Sequence, residues 1–232
     1  METFTLRQIA TVRTPFSTKF GVPRQSGLVP VTGEIVFLPQ YRDPNALRGI
    51  TDYSHLWLIW GFSEVPSQTA FSPTVRPPRL GGNARMGVFA TRAPYRPNPL
   101  GLSAVRLCGV RETDGEGIVL EVSGVDMMDG TPIYDIKPYL PYTDSHPEAT
   151  GGFGVAQFGS KLSVRWTVEH NLLTASEREV LTALLAEDPR PAYQADPDRE
   201  YGFFYGRYEL RFRVVDTVLT VTDVLLSEEG KA

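Results

Sequence analysis

The chain has 232 residues, 41% of them hydrophobic, with 23 Lys and Arg against 27 Asp and Glu and a formal net charge of −4. That length buries a full core in one large domain, or one plus a small second, and the acidic balance excludes a protein that coats nucleic acid indiscriminately. A lone cysteine, Cys108, excludes an internal disulfide and, with three His, leaves no Cys/His zinc spacing, so a reducing, cytoplasmic setting and no metal are expected.

In chain order, residues 4–12 alternate like a strand rather than like a targeting segment. A second strand is expected over 33–38, then a one-turn helix opening at Asp43 with Pro44 in its first position. Residues 55–62 are nearly all apolar and predict a strand buried on both faces, with Trp57 and Trp60 as core. Residues 102–110 and 117–123 are β-rich runs joined through Asp114-Gly115, a dipeptide suited to the positive φ angles of a hairpin turn. Many strands punctuated by Gly and Pro suggest a barrel or closed sheet. No strand runs into a Gly-rich turn and a long helix, so a Rossmann-type site is not encoded.

Residues 143–160 read as a loose connection and 161–169 as a strand. Thr174 with Glu177 three residues on forms a capping box, opening a helix whose buried stripe is Val180, Leu181, Leu184 and Leu185. Pro189 ends it, because the residue before a proline is pushed out of helical geometry. Strands over 208–214 and 217–226 pair across Asp216. The expected architecture is mainly β with α+β: an N-terminal barrel over 1–145, a linker over 146–160 and a small α+β domain over 161–232.

Charge is distributed unevenly. Between Val65 and Arg111 there is no Asp or Glu, yet Arg stands at 76, 79, 85, 92, 96, 106 and 111; without these the chain has 16 basic residues against 27 acidic. One basic surface on an acidic body argues for a localised anionic partner. Guanidinium groups held apart by Pro and Gly suit oxyanions or bases. Polar clusters also stand at 22–25, 126–131 and 188–193, each in a loop or strand end where sites are usually built. His55 is open between a core histidine and a group that meets a ligand at the strand end. Asp126 and Asp129 alone make a weak metal site.

The strings VPRQ (22–25), YSHLW (53–57), RPPRLGGNARMGVFATR (76–92), RPNPLGLS (96–103), DMMDGTPIYDIKPYLPY (126–142) and DPRPAY (188–193) closely resemble the TsaA-like, or TrmO, family of tRNA adenine-N6 methyltransferases. The resemblance implies an S-adenosylmethionine-dependent, homodimeric enzyme on a β-barrel that methylates N6 of threonylcarbamoyladenosine, 3′ of the anticodon in tRNA. It implies a cofactor pocket of Pro23, Arg24, Gln25, His55, Leu56, Arg92, Leu102, Asp126, Met127, Asp129, Gly130 and Thr131. Asp129, Tyr139 and Tyr193 are candidates to take or orient the acceptor's proton, with solvent as the alternative. Arg76, Arg79, Arg85 and Arg96 are expected phosphate contacts, and Lys137 or Arg190 a cation for the threonyl carboxylate. In a homodimer the 188–193 loop would reach the partner's barrel. The competing reading is a non-catalytic RNA-binding barrel that uses the same arginines.

Overall fold

The computed structural model describes residues 4–65, 71–77, 84–156, 161–167, 172–190 and 196–227. Along the chain run β1 (Ala10–Arg13), β2 (Thr32–Phe37), β3 (His55–Gly61), β4 (Thr74–Val75), β5 (Met86–Gly87), β6 (Leu100–Thr113), β7 (Gly117–Ser123), β8 (Pro132–Pro138), α1 (Pro141–Asp144), α2 (Gly152–Ala156), β9 (Ser163–Trp166), α3 (Ala175–Ala186), β10 (Tyr201–Tyr205), β11 (Tyr208–Val215) and β12 (Val218–Leu226). Six strands close in the order β1-β2-β7-β6-β3-β8 into a barrel; β10-β11-β12-β9 form a separate sheet, and β4 pairs only with β5. The ring is antiparallel throughout, whereas β9 runs parallel to β12.

Closure explains β3. Leu56, Leu58 and Trp60 are buried while Trp57 and Ile59 are only half-buried, so the expectation of two buried faces gives way to one, because a barrel strand has a single dry side. Trp57 instead donates from Nε1 to Asp144 Oδ2 at 2.8 Å, anchoring α1 to the wall. His55 is exposed, its Nδ1 2.9 Å from Ser54 Oγ, which removes the core-histidine reading. The strand expected from Phe4 begins only at Ala10: Phe4 is 85% and Leu6 41% exposed, while Ile9, bonded through its backbone to Ile133 and Leu38, already packs against the core. Of the Asp114-Gly115 pair, Gly115 alone has positive φ, +83°; the connection's second left-handed residue is Gly117, at +71°, rather than Asp114.

The C-terminal sheet is joined to the barrel by the loop after β1. Phe16 meets Tyr205 edge-on at 5.7 Å and Phe20 meets Phe203 at 6.4 Å, while Gly206 N donates to Pro15 O at 2.7 Å. Phe16, Phe203 and the barrel's Ile35 and Leu58 thus belong to one buried cluster.

Thr174 caps α3 as its sequence requires: Glu177 N donates to Thr174 Oγ1 at 3.2 Å, and Thr174 N donates to Glu177 Oε2 at 2.8 Å. Those Thr174 bonds, the backbone one foremost, hold the Glu177 carboxyl below its ordinary range. The carboxylate's contribution is therefore complete above its unfolded-state pKa and is lost as pH falls through the folded one. Thr174→Ala should cost about 1 kcal/mol, read as a lower urea midpoint at neutral pH and a smaller difference from wild type in acid.

Candidate functional site

A cleft of about 1300 Å³ opens where the loop at 19–26, the acid-free segment, the loop after β7 and the end of α3 converge. Two glycines make that convergence possible. Gly124 has φ +87°, and a Cβ there would lie 3.1 Å from the backbone of Gly27. Gly27 N donates to Gly124 O at 2.9 Å, and this close approach brings Ser26 beside Asp126. Gly101, on β6, leaves the space that the Trp60 indole fills from neighbouring β3; a Cβ there would stand 2.1 Å from Trp60 Cε2.

The indole is held there by a polar chain. Trp60 Nε1 donates to Ser103 Oγ at 2.9 Å, and the fully buried Ser103 hydroxyl donates to Asp126 Oδ1 at 2.6 Å. Burial pushes the Asp126 carboxyl above its usual range, opposed by the Ser103 hydroxyl, backbone amides including that of Ser26, and the charge of Arg92. Arg92 donates to Gln25 Oε1. Of the cleft's other carboxylates, Glu187 pairs with Lys161 at 2.9 Å, Asp188 pairs with Arg190, and Glu64 is exposed. Asp126 is thus a half-buried carboxyl group with no ion pair among the described residues. The cleft is also lined by Phe20, Trp60, Phe62, Leu102, Met127 and Phe153, which give it an apolar and aromatic wall.

The cleft's other side belongs to the same chain. Arg24 Nη2 donates to the carbonyl oxygens of Asp188 at 2.7 Å and Arg190 at 3.3 Å, so the first three residues of the segment expected to reach a partner are tied to the 19–26 loop of their own chain, and residues 191–193 lie outside the described residues. The Arg190 guanidinium grips Asp188 with two bonds, 2.9 and 3.0 Å, and its side chain is 13% exposed. It is committed to shaping the turn, where Asp188 adopts φ +52°.

Of the residues singled out in the sequence, Pro23, Arg24, Gln25, Arg92, Arg96, Leu102, Asp126, Met127, Thr131 and Arg190 line this cleft. His55 and Leu56 do not; Leu56 is 1% exposed inside the barrel. Asp129 also lies outside the lining, where Oδ1 accepts from Thr14 N at 3.0 Å, and Gly130 N donates to Val12 O at 3.0 Å. Neither Tyr139 nor Lys137 is in the lining: Tyr139 packs at 5.5 Å behind Trp57, which does line the cleft, and Lys137 pairs with Asp135 at 3.1 Å. Arg76 and Arg85 are exposed beside β4 and β5. Arg79 and Tyr193 lie outside the described residues. Arg111 departs from the single basic surface that was expected: it bonds Glu34 and Glu121 on neighbouring strands. Sequence reasoning missed Trp60 and Ser103 as parts of the site, although the RPNPLGLS string contains Ser103. Among the described residues no group of three or more His, Cys, Asp or Glu is arranged to hold a metal ion.

The chain matches the family model described as the tRNA-methyltransferase O N-terminal domain over residues 11–145, and that of the TrmO C-terminal domain over 159–227. It is 41% identical over 226 residues to the Escherichia coli K12 protein named tRNA (adenine(37)-N6)-methyltransferase, covering 93% of this chain and 95% of that one. It is 42% identical over 209 residues to a Pseudomonas aeruginosa protein named putative S-adenosylmethionine-dependent methyltransferase RcsF, covering 86% and 88% respectively. A crystal structure of TrmO from Pseudomonas aeruginosa is similar with a TM-score of 0.77 at 31% identity, covering 97% of this chain and 100% of that one.

Proposed function

The chain belongs to the tRNA-methyltransferase O family, and we propose that its cleft binds S-adenosylmethionine and methylates N6 of threonylcarbamoyladenosine, 3′ of the anticodon in tRNA. Enzyme class and cofactor follow from the family: the chain is a methyltransferase that uses S-adenosylmethionine. The finer reading, the threonylcarbamoyl substrate, is what the resemblance of the motif strings implies; the assignment of residues to the cofactor rests on the cleft.

One observation carries it: a half-buried carboxylate, Asp126, oriented by Ser103 and set among aromatic walls and guanidinium groups. This donor set fits a ligand with a cationic head, ribose hydroxyls, a carboxylate and a flat base. Asp126 suits the ammonium or the ribose hydroxyls, Arg92 and Gln25 the carboxylate end, and the wall of Leu102, Met127 and Phe20 the apolar parts. Ligand pockets are usually about 300–1,000 Å³, so a cleft of about 1300 Å³ has room for a cofactor and one extruded base. S-adenosylmethionine supplies an activated methyl on a sulfonium centre. The protein's work is then to align the acceptor nitrogen in line and to exclude water. As the nitrogen gains the methyl group and the S–CH3 bond breaks, its proton must leave. Asp129 and Tyr139 lie off the cleft lining, Tyr193 lies outside the described residues, and the urea-like group makes that proton more acidic than a plain amine's, so we assign it to solvent.

In this proposal the units are the barrel over 1–145, a connection over 146–160 and the domain over 161–232, the enzyme is a homodimer, and its tRNA substrate places it in the cytoplasm. No helix among the described residues is long and apolar enough to cross a membrane. Arg76, Arg85 and Arg96 meet phosphates. Arg76→Ala or Arg85→Ala should each flatten the salt dependence of tRNA binding by about one unit of slope, with S-adenosylmethionine affinity unchanged by calorimetry. Calorimetry of the wild type also tests the reading itself, because a non-catalytic RNA-binding barrel would bind tRNA and show no heat with the cofactor.

A further inference from the structure

The acid-free segment carries one feature that extends beyond the cleft. Phe71 and Phe89 stack at 6.2 Å with their rings 24° apart, although they are 59% and 72% exposed. Two large rings in contact and open to water form an apolar patch that folding alone does not reward. Local geometry forces the exposure. Val88, 1% exposed, plugs inward at the turn after β5, and its N–H donates to Pro73 O at 3.0 Å across the hairpin. With Val88 fixed, the next side chain, Phe89, is turned outward beside Phe71.

The opposite end of the same hairpin is cationic. The register pairs Thr74 with Gly87 and Val75 with Met86, so the next positions along the ladder are Arg76 and Arg85. Both are exposed, and neither has an ion pair among the described residues. Two guanidinium groups at one end of a short hairpin, with no carboxylate to offset them, favour an anion there. Phe89 also reaches the cleft lining, where the exposed Tyr95 stands with it. Flat apolar faces at one end, guanidinium groups at the other and no carboxylate between them fit an unpaired nucleic-acid strand, whose bases stack and whose phosphates need neutralising.

We infer that the β4–β5 hairpin is a stacking platform for an unpaired base flanking the target nucleotide, held at its phosphate by Arg76 and Arg85. The inference rests on the tRNA reading above and adds to it the element that splays the loop open. A base captured on Phe71 and Phe89 leaves its neighbour unstacked on one side and lowers the cost of extruding it into the cleft.

The test compares wild type with Phe71→Ala, Phe89→Ala, Phe71→Leu and Phe71→Tyr, using an anticodon stem-loop RNA whose loop base beside the target is replaced by 2-aminopurine. Wild type should quench the probe as the base stacks. Phe71→Ala and Phe89→Ala should lose the quench and bind the RNA about tenfold or more weaker, with KM for tRNA rising more than kcat falls. Phe71→Tyr should stay within about twofold of wild type, whereas Phe71→Leu, apolar but not aromatic, should behave as Phe71→Ala. The cofactor's affinity, measured on the Phe71 variants, should not change. A wild type that methylates tRNA while every Phe71 and Phe89 variant matches it overturns the platform and leaves the methyltransferase intact. An alanine variant that sediments as a monomer where wild type is a dimer also overturns it, because the rings would then be covered by a second copy of the chain. A wild type that binds no tRNA removes the functional reading itself.

Discussion

Asp126→Asn should weaken S-adenosylmethionine binding about 100-fold and lower methyl transfer with it, since truncating one partner of a half-buried, hydrogen-bonded charge contact costs about 2–5 kcal/mol. Asparagine keeps the shape and still accepts from Ser103 through its side-chain oxygen, so the loss isolates the charge. Two further readouts separate this from damage to the fold. Burial raises the Asp126 carboxyl above the ordinary carboxylate range, so wild-type affinity for a cationic cofactor should fall in acid starting above that range, while the Asn variant stays weak and flat. The stability effect has the opposite sign. A carboxyl whose folded pKa is raised binds more protons folded than unfolded, which lowers stability as pH rises from the unfolded pKa through the folded one. Asp126→Asn removes that penalty and should melt no lower than wild type at neutral pH. An Asn variant that melts lower and retains its cofactor affinity would show that Asp126 serves structure alone.

Gly101→Ala should be the most damaging methyl group that can be added to the barrel. The new Cβ would lie 2.1 Å from Trp60 Cε2 and 2.3 Å from Cζ2, and the obstacle is a buried indole rather than the tip of a flexible chain. Overpacking of this kind costs about 3 kcal/mol or more, which for a chain of this length is a loss of about 6–12 °C in melting temperature. Moving the indole also breaks the bond from Trp60 to Ser103, and with it the orientation of Asp126. Cofactor binding and Trp fluorescence should therefore change together. Gly154→Ala, where a Cβ meets nothing within 4 Å, is the control and should melt close to wild type.

Features set by near neighbours in the chain were legible in the sequence. Asp43 does cap the turn at Pro44–Leu47 by accepting from Asn45 N, and Thr174 with Glu177 makes the capping box that their spacing requires. Strand β8 was not legible as a strand, because Pro132 and Pro138 stand at its ends and Asp135 and Lys137 blur its alternation; it forms because β1 and β3 offer it two edges. Residues 201–205 were missed for the same reason, since an aromatic run becomes β10 only when β11 pairs with it.

The site shows the same division. Its ingredients could be read from the strings at 22–25, 96–103, 126–131 and 188–190, but their partners could not. Trp60, Ser103 and Asp126 are separated by 43 and 23 residues and meet only because β3 and β6 pair and the chain then returns through β7. Arg111 looked like part of one basic surface until the barrel register set Glu34 and Glu121 beside it. Arg190 looked like a free cation until its own turn folded Asp188 onto it. Charge along a sequence fixes an inventory, and topology decides which charges remain for a ligand.

We propose above that this cleft methylates N6 of an adenosine already carrying the threonylcarbamoyl group. Purified protein should be incubated with S-adenosylmethionine bearing a labelled methyl group and with tRNA prepared with and without threonylcarbamoyladenosine, and the digested nucleosides read by mass spectrometry. One labelled methyl is expected on the threonylcarbamoyl nucleoside and none on tRNA that lacks it. Equal labelling of plain adenosine, or no transfer to the fully modified tRNA, would contradict it.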